Sequence, residues 1–214
     1  MSKIITRLFD SFADAERAVI ELERVGVSHN DISLVSHKSD KRHEGVKARE
    51  PHDHTAGEAG ARDAGVGAAA GGVLGAAGGV LAGLGLLAIP GLGPVVAAGW
   101  LASAAVGTLV GGAVVGAAGG LVGALTHAGV SKEEADFYAE GVRRGGTLVS
   151  AKVDDDKLGS AEVALNAIPY VDIATRGAAY RQSGWSSFDP EAAPYTDDEI
   201  ASERARYGTV KATK

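Results

Sequence analysis

Between Asp63 and Lys132 the chain carries no Asp, Glu, Lys or Arg, and almost every residue of Ala64–Ser131 is Gly, Ala, Val, Leu or Ile. A neutral, apolar tract of this length has to be shielded from bulk water. The chain therefore falls into three parts: a charged front, an uncharged middle and a charged rear.

Within the middle, residues 64–89 and 95–127 form two stretches separated by Ile89-Pro-Gly-Leu-Gly-Pro94, whose prolines and glycines mark a turn. Each stretch exceeds the roughly 20 residues of a helical membrane crossing. Glycine weakens a helix by about 0.8–1 kcal/mol against alanine, so its abundance here needs a compensating reason. The spacing supplies one. Gly67, Gly71, Gly75, Gly79 and Gly83 recur every fourth residue. Gly107 and Gly111, and Gly119 and Gly123, repeat that interval beside a parallel row of Gly112, Gly116 and Gly120. Residues four apart share a helix face, and a row without side chains is a groove in which a second helix packs closely. The expectation is a glycine-zipper α-helical hairpin over 64–128, with membrane lipid and further copies of the chain as its partners. Trp100 falls near the start of the second helix, where an interfacial aromatic fits.

The flanks read as one α/β domain split by that hairpin. Residues 1–37 give a strand over Ile4–Phe9, a helix over 12–25 capped by Ser11 and ended by Gly26, and a strand over Ile32–Ser36. Residues 38–63 are a polar, His-rich linker. Residues 129–176 open with the capping box Ser131-Lys-Glu-Glu134 and a helix to about Arg144, followed by a strand over Thr147–Val153. A helix ended by Pro169 comes next, with Asp154–Asp156 at its start, and then a last strand over Val171–Thr175. Residues 177–214 are a polar tail with a short helix opened by Thr196-Asp-Asp-Glu199. The fold class expected is α+β, a ferredoxin-like βαβ…αβαβ domain.

Composition excludes several functions. Net charge is −6, which gives no basic face for nucleic acid. Cysteine is absent, which removes disulfides, thiolate nucleophiles and cysteine metal sites. The 31 glycines are about twice the usual share. The matches Gly65-x-Gly67 and Gly83-x-Gly85 to a dinucleotide loop lack the preceding strand that such a loop needs. His52 and His54 are the one candidate metal pair, but their spacing fits no standard zinc pattern and a solvated linker accounts for them. Asp154–Asp156 lack the spacing of a calcium loop, and Arg143 and Arg144 read as cations at a helix C-terminus. No nucleophile motif, cofactor or small-molecule substrate is evident. The opening ten residues contain no apolar run of a signal peptide. With two crossings, both termini are expected in the cytoplasm.

The run Phe9-Asp10-Ser11-Phe12-Ala13-Asp14-Ala15-Glu16, with Leu22 and Gly26-Val27, resembles the start of bacterial general-stress and low-temperature-induced proteins. The glycine-rich middle extends the likeness, as does Glu133-Glu134-Ala135-Asp136-Phe137-Tyr138-Ala139-Glu140-Gly141-Val142-Arg143-Arg144-Gly145-Gly146-Thr147-Leu148-Val149. The resemblance covers about residues 1–176. It implies a membrane-related, non-enzymatic stress protein and carries over no catalytic residues. The function expected is a stress-associated protein of the inner membrane, self-associating through the hairpin, with the α/β domain as a cytoplasmic interaction or sensing module. The alternatives are a soluble homo-oligomeric scaffold that buries the hairpin in a helical bundle, and a pore or permeability factor.

Overall fold

A computed structural model describes residues 2–37, 85–89, 92–102 and 120–207, with the backbone alone at 85–89, 93 and 94. The chain opens with β1 (Ser2–Phe9), α1 (Phe12–Arg24), a 3-10 turn at His29–Asp31 and β2 (Ile32–His37). Ser11 caps α1, its hydroxyl oxygen accepting from the Asp14 N–H at 3.1 Å. Phe12, Ala15, Ala18, Val19 and Leu22 then lie on its buried face, as their helical spacing dictates.

Two strands follow where helices were expected, β3 (Gly85–Ile89) and β4 (Gly93–Ala98). They form an antiparallel hairpin that pairs Leu34–His37 of β2 with Val95–Ala98. This corrects the helical reading of 64–89 and 95–127 at residues 85–89 and 95–98. A uniformly apolar run satisfies the period of 3.6 and the period of 2 alike. Here an open edge on β2 and the β-branched pair Val95-Val96 settle it as a strand. Alternation on β4 sends Val95 and Ala97 to one face of the sheet and Ala98 to the other, and all three are buried.

The rear comprises α2 (Leu121–His127), α3 (Lys132–Arg143), β5 (Thr147–Asp154), α4 (Leu158–Asn166), α5 (Ile173–Gln182) and α6 (Asp197–Tyr207). Ser131 caps α3 as its sequence predicts. Asp154–Asp156 do not cap α4, whose N-cap is Lys157 without a side-chain bond. The expected strand at Val171–Thr175 is also corrected. Asp172 caps α5 through the Thr175 N–H at 2.7 Å, and that cap turns the chain into a helix. Of the backbone expected in that strand, the Val171 N–H bonds to the edge of β1, at 2.8 Å from the Leu8 carbonyl.

The sheet is wholly antiparallel in the order β1-β5-β2-β4-β3. One face packs on α1 and α4 through Ile5, Phe9, Leu22, Leu34, Val149 and Leu165. The other packs on α2 and α3 through Leu8, Val35, Leu121, Leu125, Phe137 and Leu148. Leu92 and Leu101 enter this second core at 0% exposure. Burying such a side chain contributes roughly 1.5–3 kcal/mol, so the centre of the uncharged middle is anchored in a core it shares with the charged flanks.

Candidate functional site

Two features of the molecule bear on function: the roots of the glycine-rich tracts and an ionic cluster at the C-terminal end of α3. The described residues that flank the first tract are His37 and Gly85, both in the same sheet with only β4 between their strands. Those that flank the second are Ala102 and Gly120. Gly120 has φ +85° and ψ −133°, a backbone geometry open almost only to glycine. Leu101 is fixed by its N–H, which donates to the Ser33 hydroxyl at 3.0 Å in a buried site. Trp100 is partly buried against the core, with the Lys152 ammonium 4.5 Å from its ring centroid.

Of the zipper positions, Gly120 and Gly123 are described: Gly120 is the N-cap of α2, and Gly123 is buried inside that helix. Gly67, Gly71, Gly75, Gly79, Gly83, Gly107, Gly111, Gly112, Gly116 and Gly119 lie outside the described residues, as do His52 and His54.

His37 stands at the first root and is 2% exposed. Burial pushes its pKa below the ordinary value of 6.5, against the pull of Asp197, so it is held neutral at physiological pH.

The ionic cluster was legible in the sequence only as two helix-end arginines. Glu140, at 0% exposure, accepts from the Arg144 Nε at 2.6 Å. The Arg144 Nη1 also donates to Glu203 of α6 at 3.1 Å. The guanidinium lies 4.2 Å from the Tyr180 ring centroid. Burial opposes its charge, but the hydrogen bond and field of Glu140 hold its pKa above the ordinary value. Arg176 forks onto Asp10 at 2.8 and 2.9 Å, a bidentate geometry that fixes orientation as well as charge. Arg204 donates to the Gly145 carbonyl at 2.8 and 3.1 Å. The notch among these groups encloses about 10 Å³, at most one water. It is a closed fastening for the tail and no pocket for a ligand. The tail expected to be merely polar is thereby joined to the body, with Ile200 at 1% and Phe188 at 8% exposure. Its signal, an isolated Ile and Glu three apart on a charged helix, is too sparse to read without the partner surface.

Tyr138 reaches across the sheet edge to donate its hydroxyl to the Thr6 carbonyl at 3.0 Å, and burial pushes its pKa up to about 12. No group of three or more His, Asp or Glu side chains fit to hold a metal exists among the described residues. No helix among them is long and apolar enough to cross a membrane. No family model matches the sequence, no curated protein matches it, and no solved structure matches it. The described fold and site together define an α+β module with an antiparallel sheet, covered by helices on both faces and carrying two glycine-rich insertions.

Proposed function

We propose that this chain is a non-enzymatic, stress-associated protein that self-associates through its glycine-rich tracts at the cytoplasmic membrane. The α/β module stays on the cytoplasmic side as the interaction or sensing part. The stress association rests on the resemblance of residues 1–176. The observation that carries the rest is that each tract begins and ends on the same module: His37 and Gly85 share one sheet, and Leu101 and Leu121 share one core. Whatever depth a tract reaches, it returns to the side it left. Residues 103–119 are fewer than the roughly 20 of one crossing, and a crossing with a return needs twice that. The uncharged part of the first tract, 64–84, amounts to about one crossing. The membrane contact we infer is therefore re-entrant or interfacial and not a pair of through-spans. Backbone-to-backbone packing of glycine faces then joins copies.

The trio β1-β5-β2, with α1 crossing between β1 and β2, supports a ferredoxin-like ancestry. In that reading the fourth strand has been reduced to the single Val171 bond, and β3 and β4 are an addition on the opposite edge. Cell fractionation tests the membrane assignment: the protein stays with membranes through a high-salt wash. Recovery in the soluble fraction overturns it.

A second reading is favoured by the burial of Leu92, Val95, Leu101, Leu121 and Leu125 inside the module. These are large apolar side chains that a lipid-facing helix would need. Their loss to the core favours a soluble homo-oligomer. Detergent-free purification yielding a discrete, monodisperse particle would select this reading.

A further inference from the structure

β1 is an edge strand, and among the described residues its outer side is open over Ser2–Ile4. Two of its carbonyls are used from outside the sheet: Thr6 accepts from the Tyr138 hydroxyl at 3.0 Å and Leu8 from the Val171 N–H at 2.8 Å. Alternation then turns the backbone groups of Ile4 and Ser2 outward too. No strand among the described residues pairs with them. This edge forms the floor of a trough of about 530 Å³, walled by Leu158 and Glu162 of α4 on one side and by Glu134 and Tyr138 on the other. Lys3 and Glu162 are both exposed, and neither has an ion partner among the described residues.

An unprotected edge is a template for a further strand. We propose that it docks β1 of a second copy, antiparallel about a two-fold axis through Ile4. Charge selects both the partner and the register. Residues facing each other across an antiparallel pair must share a sheet face, which leaves centres at Lys3, Ile4 or Ile5. A centre at Lys3 sets the two ammoniums against each other. A centre at Ile5 sets Lys3 against Arg7. A centre at Ile4 sets Lys3 opposite the second copy's Ile5, on the side walled by that copy's Glu162, and each of these charges gains a partner. The two Ile4 residues exchange backbone hydrogen bonds, and on either side the Thr6 N–H donates to the Ser2 carbonyl of the other copy, while the Thr6 carbonyl keeps its bonds from Tyr138 and Arg7. Such a contact is isologous and closes as a dimer. It does not involve the glycine tracts.

The chain has no cysteine, so a single Ile4→Cys variant of the full chain can be treated with a short bifunctional thiol reagent. A covalent dimer is expected. Val163→Cys, on the outer face of α4 at 71% exposure, is expected to stay monomeric. Lys3→Glu should weaken the dimer several-fold in sedimentation measurements, and adding Glu162→Lys should restore it. The Ile4→Cys dimer should persist with Gly75→Leu and Gly79→Leu in the same chain, which separates this contact from any made by the tracts. Equal cross-linking at both cysteines overturns the proposal, as does a charge reversal that changes nothing. A monomer whose β1 edge is nonetheless protected from hydrogen exchange overturns it as well, because the edge would then hold the chain's own terminus or a foreign peptide.

Discussion

Arg144 has the most at stake of any single residue. It neutralises Glu140, which has no contact with solvent, and it reaches Glu203 at the same time. Replacing it by Met removes the shorter of the two ion pairs to that buried carboxylate and leaves Arg143 at 3.5 Å as its remaining cation, a change that costs roughly 1.5–3 kcal/mol. Chemical denaturation should show a loss of that order, and adding Glu140→Gln should recover much of it. His37 sets a second expectation. Its folded pKa lies below the unfolded value of 6.5 because burial disfavours the imidazolium. The folded state therefore binds fewer protons than the unfolded state in that range. Its contribution to stability is present above pH 6.5 and is lost as pH falls towards the depressed value. The urea midpoint should drop between pH 7.5 and 5.5, and His37→Leu should flatten that part of the profile. An unchanged slope in the variant would assign the acid sensitivity to other groups.

Among the elements, the β3–β4 hairpin is the one that joins the uncharged middle to the flanks. Its far end is pinned at Gly99, where φ is +81° and an added Cβ would overlap the carbonyl oxygen of Ile32. Neither atom can step aside, since Ile32 is itself paired to β5. Gly99→Ala should cost at least about 1–3 kcal/mol through left-handed strain and displacement of β4. The amides of residues 95–98 should exchange faster in that variant while those of β1 stay protected. Uniform loss of protection would mean that the hairpin and the rest of the sheet open as one unit. At the other end of the fold, α6 is fastened by Ile200 against Gly145 and by Arg204 on the Gly145 carbonyl. Both lie just past α3, so its docking also closes the helix C-terminus electrostatically.

For the whole molecule, the decisive feature is that the described ends of each glycine-rich tract belong to one body. Tracts with both ends on one body are the ones the proposed self-association would use without dividing the module between compartments. Gly75→Leu with Gly79→Leu places branched side chains in the row that would admit a neighbouring backbone. Tract-mediated association measured by cross-linking should fall sharply, while the thermal transition of the module should hardly move. A parallel loss of both would place those glycines inside the module's own core.

Sequence alone determined the local elements of the flanks. Ser11 and Ser131 cap their helices, Gly26 and Gly145 end them, and the alternation of Ile4–Phe9 and Thr147–Val153 makes strands, because capping and period are decided within a few residues. It also marked 64–131 as a neutral, apolar run that water disfavours. It did not determine the conformation of that run. A run of Gly, Ala, Val and Leu has no period of its own, so the conformation of 85–98 was set by the open edge of β2. The fourth strand expected at Val171 lost to the Asp172 cap, a contest that depends on how little of the β1 edge the chain could reach. The tail and Arg144 were settled in the same way, since a buried ion pair between residues 59 positions apart exists only once distant elements have been brought together.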